Sequence, residues 1–119
     1  MNAETLKALQ GSIKKWQRIV ASTEAEDKGV ENCPLCGMFW SRGCGGCPVR
    51  EATGLTACRG SPYSEWSTYM ISHPALAHHR IPGCKECLQL ARAEIAFLVG
   101  LLPDKDKKQG IKDATLQIR

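Results

Sequence analysis

Long apolar runs are missing from this sequence. No stretch approaches the ~18 consecutive apolar residues of a membrane-spanning helix, so no membrane partner is expected. The opening Met1-Asn2-Ala3-Glu4 leads into a charged amphipathic stretch and not into the apolar centre of a secretory leader. A cytoplasmic protein is the reading. Aromatic residues are scarce, at 6%. A core can form from helices flanking the middle of the chain, but the middle, where Cys, Gly and Pro concentrate, needs a staple. A large excess of one charge is also missing. The 16 basic and 12 acidic residues leave +4, well short of what marks a dedicated nucleic-acid binder. Catalytic signatures are absent too: there is no P-loop, no G-x-S-x-G, no H-E-x-x-H, and no H-x-E ahead of a P-C-x-x-C. The expectation is that the chain is not an enzyme.

What is there is cysteine. The chain has seven in 119 residues, and five fall in the stretch N-C-P-L-C-G-M-F-W-S-R-G-C-G-G-C-P-V-R-E-A-T-G-L-T-A-C-R-G-S-P-Y, residues 32–63. Cys33/Cys36 and Cys44/Cys47 form two C-x-x-C pairs, Cys58 follows, and Cys84/Cys87 make a third pair. Cytosolic thiols stay reduced, so clustered pairs favour metal over disulfides, and the odd count agrees. Cys33-Pro34-Leu35-Cys36-Gly37 has the form of a zinc knuckle. Two thiolates so spaced on a tight turn can reach one tetrahedral Zn²⁺ at ~2.3 Å.

The pattern CPLC…CGGCPV…TG…C.GSPY..W resembles a family of small uncharacterised bacteriophage proteins. The likeness extends to the amphipathic stretch around Trp16 and to the segment Ala91-Arg92-Ala93-Glu94-Ile95-Ala96-Phe97-Leu98, and so spans residues 10–103. It implies a phage origin and action inside a bacterial host. It implies no activity.

The length suits one domain, residues 1–103, with a polar tail at 104–119. Leu6, Leu9, Ile13, Trp16 and Val20 recur at helical spacing and predict a helix over 2–22, with Asn2 as its cap and Lys7, Lys14, Lys15 and Arg18 on solvated faces. Gly11 in its middle marks close packing. Glycines argue against long elements at 33–60, leaving short extended pieces near 38–40 and 49–51 and a turn at Thr53-Gly54. Ser61-Pro62 opens a helix over 62–72, which His73-Pro74 closes. Leu88, Ala91, Ile95, Leu98 and Leu102 form the seam of a last helix over 84–102, ended by Pro103. The fold class expected is mainly α, around an irregular, Cys-rich, zinc-stabilised core with few short strands.

Three ligand arrangements fit. One site can use Cys33, Cys36, Cys44 and Cys47. Two zinc ions can share all seven cysteines with His78 or His79, or share them through a bridging thiolate. An iron–sulfur cluster is the alternative, since thiolates suit it equally and Cys47-Pro48 resembles the end of some ferredoxin runs, although C-x₂-C-x₇-C-x₂-C matches no ferredoxin spacing. An all-thiolate set is closed and structural. The function expected is therefore a zinc-stabilised accessory protein that binds, and modulates or inhibits, a host or phage protein. Phe39, Trp40, Arg42, Arg50 and Arg59 are the binding residues. DNA or RNA binding through Lys14, Lys15, Arg18 and those arginines is the second expectation, and a redox protein the third.

Overall fold

The computed structural model describes residues 1–21, 27–71, 85–104 and 106. The helices that position the site are α1 (Ala3–Ala21), α2 (Pro34–Phe39), α3 (Pro48–Thr53), α4 (Pro62–Ile71) and α5 (Lys85–Gly100). Short 3₁₀ turns lie at Gly29–Asn32 and Trp40–Arg42. No strand occurs among the described residues, and no helix there is long and apolar enough to cross a membrane. The fold is mainly helical.

The expected long helices are present. Asn2 caps α1, accepting the Thr5 N–H at 2.8 Å. Leu9, Ile13, Trp16 and Val20 are buried along its stripe. The seam of α5 is buried at Ala91, Ile95 and Leu98, and Leu102 continues it just past the helix. α1 and α5 pack on each other, and α4 packs on α5. Neither face is stable in water by itself, so each helix exists because the other covers it. Gly11 is where α1 meets α2: a Cβ there would stand 3.0 Å from Pro34 Cγ.

The extended pieces expected at 38–40 and 49–51 are helical instead. Two Cys-Pro steps explain it. Cys33 (φ −102°, ψ 112°) and Cys47 (φ −64°, ψ 129°) have extended backbones, and each is followed by proline in the first helical turn. Proline's fixed φ suits that position, and its missing N–H is one that a helix start leaves unpaired anyway. α3 ends in a left-handed Gly54 whose N–H donates to Arg50 O at 2.7 Å. The turn at Thr53-Gly54 is thus a helix terminus.

Between α2 and α3 the chain crosses itself tightly. Gly46 has φ +91°, and a Cβ on it would lie 3.2 Å from Phe39 Cε1. Gly46→Ala is expected to destabilise the protein by about 1–2 kcal/mol through left-handed strain, read as a lower midpoint in denaturant. An unchanged midpoint would show that this loop gives way freely. Three non-glycine residues share the left-handed region: Cys44 (φ 64°), Ala57 (φ 58°) and Cys58 (φ 59°). Such conformations cost on the order of 1 kcal/mol each and persist where surrounding structure over-determines them. Two of the three are cysteines.

Candidate functional site

Those strained turns aim their side chains at one place. Cys33, Cys36, Cys44, Cys47 and Cys58 all line a single cavity of about 190 Å³. Their walls differ. Cys33 and Cys36 stand at the start of α2, Cys44 and Cys47 on the glycine loop leading into α3, and Cys58 on the turn before α4. None of the five is in a disulfide. Five of the seven expected ligands thus line one cavity. Cys87 is wholly buried in the helical core on α5 and does not line this cavity. Cys84, His78 and His79 lie outside the described residues.

The sulfurs act on one another. The Cys36 side chain hydrogen-bonds the Cys33 sulfur and pulls that thiol down to about 5, with help from the Cys36 amide and Ser12. The same contact pushes Cys36 up. Burial raises Cys47, opposed by the amides of Val49 and Arg50, and burial raises Cys58 to about 12. Burial and neighbouring sulfurs thus favour the protonated form at Cys36, Cys47 and Cys58, while Cys33 favours the thiolate. α1 braces the cluster from behind. Ser12 Oγ lies 3.7 Å from Cys33 Sγ and accepts the Leu35 N–H at 3.4 Å.

A buried carboxyl completes the wall. Glu94 on α5 is 3% exposed, its Oε1 has no hydrogen-bond partner, and it lines the same cavity. Burial, reinforced by Cys33, raises it to about 8, so near neutrality Glu94 is largely uncharged. The sequence does carry a signal for it: Glu94 interrupts the apolar seam between Ala91 and Ile95.

Asp27 carries no such signal, yet it is the hub beside the site. Its Oδ1 takes the Lys15 ammonium at 2.8 Å and the Gly29 N–H at 2.8 Å. Its Oδ2 takes the Tyr63 hydroxyl at 2.9 Å and the Trp66 indole N–H at 3.1 Å. Burial alone would raise this carboxyl, but hydrogen bonding and charge from Lys15, with the Gly29 amide and Tyr63 hydroxyl, hold it below its ordinary value. Trp16 meets Trp66 and Tyr63 edge-on, with ring centres at 5.0 and 5.9 Å. Lys15 is consequently no part of a solvated basic face. It is 7% exposed and paired, which removes it from the expected nucleic-acid surface.

The expected binding residues separate. Phe39 is buried and faces the cavity, so it belongs to the core and not to a docking face. Trp40 is 48% exposed, and Leu55, which the sequence did not single out, is 44% exposed; both stand on the cavity's rim with Arg50. Arg42 and Arg59 are exposed. The Arg50 guanidinium donates to Gly43 O at 3.1 Å, and that of Arg59 donates to Thr56 O and Oγ1 at 3.2 and 3.1 Å.

The donor set fits a metal centre in kind: soft thiolates and one carboxyl, in an apolar setting formed by Leu35, Phe39, Val49 and Leu98. It does not close on a point. Among the described residues no three Cys, His, Asp or Glu side chains come together as a single ion requires. Compared with family models, curated proteins and solved structures, the chain matches none.

Proposed function

We propose that this chain is a small non-enzymatic metal–thiolate protein that docks a protein partner over the mouth of its cysteine cavity. The observation that carries the reading is the convergence of five unpaired thiols on one cavity whose rim exposes Trp40 and Leu55. The paired C-x-x-C spacing and the soft thiolates support a thiolate-bound metal, which would act as a staple for this segment. The rim supports the docking half of the proposal, since Trp and Arg are the residue types that dominate binding hot spots. The likeness of the cysteine motif to small bacteriophage proteins makes a protein of the bacterial host the partner proposed. DNA or RNA binding is the lesser reading, because Lys15 is engaged with Asp27.

The test is affinity purification from host cells, with and without nuclease, using the chain and its Trp40→Ala variant. A partner that survives nuclease and high salt, and whose affinity falls by ~1–3 kcal/mol with Trp40→Ala at unchanged circular dichroism, is the expected result. A partner lost on nuclease treatment, with affinity falling steeply as salt rises, would replace this reading with nucleic-acid binding, since counterion release sets that slope.

A further inference from the structure

The cavity has far more room than a zinc ion needs. Four thiolates on one Zn²⁺ must bring their sulfurs to within about 3.8 Å of each other, given tetrahedral bonds of ~2.3 Å. No three donors among the described residues are so gathered. The space they surround is about 190 Å³. One ion would fill a small part of it. A purely apolar occupant is disfavoured as well, because Glu94 Oε1 is buried there without a partner and would lose further by facing hydrocarbon.

An occupant that is large, takes several thiolates spread around it and tolerates an apolar wall is a polynuclear cluster. In a four-iron cluster each thiolate bonds a different iron, so the sulfurs stand apart by design. Here the thiols come from three separate segments around one volume, whose wall is largely apolar. The strained turns at Cys44 and Cys58 hold side chains toward this space at positions where glycine would be cheaper.

We infer that the cavity holds a four-iron, four-sulfide cluster, bound by four of the five thiols Cys33, Cys36, Cys44, Cys47 and Cys58. Each ligating thiol releases its proton as its sulfur bonds iron, and two ferrous ions, two ferric ions and four sulfides, from the cell or added as salts, make up the core, so that assembly needs no further oxidant. This inference rests on the metal–thiolate reading above and names the group within it. Cys87, buried elsewhere, takes no part.

The experiment is purification of the full chain under anaerobic conditions, followed by reconstitution with equal amounts of ferrous and ferric iron and with sulfide. Visible absorption, iron, sulfide and zinc content, and electron paramagnetic resonance after dithionite are then measured. The expected result is a brown protein with close to four irons and four sulfides per chain. Among single serine variants of the five cysteines, four should lose most of the visible absorption and one should keep it, and Cys87→Ala should keep it. A colourless protein carrying stoichiometric zinc would overturn the cluster and leave the metal–thiolate reading standing. A protein that takes up neither metal would sink both. Two irons per chain, or colour that survives two or more of the five serine changes, would overturn the four-iron assignment. Because the wild-type content alone decides these outcomes, a serine variant that fails to fold does not shelter the proposal.

Discussion

Asp27→Ala is expected to destabilise the folded protein by about 3–5 kcal/mol, the usual effect of removing one member of a buried ion pair. The change strands the Lys15 ammonium, itself 7% exposed, and leaves the Tyr63 hydroxyl and the Trp66 indole N–H without an acceptor. Asp27→Asn should cost less, because an amide oxygen can still accept from one side. The same carboxylate sets an acid limit. Its folded pKa lies below its ordinary value, so its stabilisation is complete above the unfolded value and is lost as pH falls through the folded one. The wild type should therefore weaken below about pH 4, and Asp27→Ala should show a flatter acid limb. Denaturant titrations of both proteins at pH 7 and pH 3 measure this. Equal stability of the two at pH 7 would show that the hub is ornamental.

Removing the proposed metal should have the larger effect. In small metal domains the binding free energy, on the order of 10 kcal/mol, is folding free energy. Here α2 and α3 are six residues each, too short to persist by propensity, and the turns between and after them carry three left-handed non-glycine residues. Without an occupant the crowded thiols offer no compensation for that strain. A chelator under reducing conditions should open residues 33–63, with loss of helical circular dichroism and fast tryptic cleavage after Arg42, Arg50 and Arg59, all exposed. If the stripped protein keeps its spectrum and resists trypsin, the metal does not hold this segment.

The long helices were legible because their signals are local. A cap at Asn2, a Ser-Pro start at 61–62 and apolar stripes of helical period need no tertiary information, and all three appear where the pattern puts them. The convergence of the cysteines between 33 and 58 was legible as spacing, although the size of the space they enclose was not. α2 and α3 were misread as extended because glycine and β-branched or aromatic residues outweighed the Cys-Pro steps. Those steps, each placing proline in a first helical turn, were the better guide. Phe39 and Trp40 are neighbours in sequence with opposite fates, since a short helix followed by a 3₁₀ turn sends one inward and leaves the other on the rim. Lys15 was read as solvated because its partner Asp27 is itself held by Tyr63 and Trp66, which lie 36 and 39 positions beyond Asp27. No local pattern reports a partner so far away.

That separation has a thermodynamic consequence for the site. Among the described residues every thiol facing the cavity lies between residues 33 and 58, inside the loop that Asp27 closes onto Tyr63 and Trp66. The hub is therefore the neck of a closed loop, and the ligands sit within the ring it ties off. Gathering scattered ligands from an open chain carries a closure entropy that rises with the logarithm of chain length. With the neck already tied, part of that cost is met before any metal arrives, and the thiols experience one another at a raised effective concentration. Hub and proposed metal would thus reinforce each other by linkage, although no atom of Asp27 needs to touch the metal.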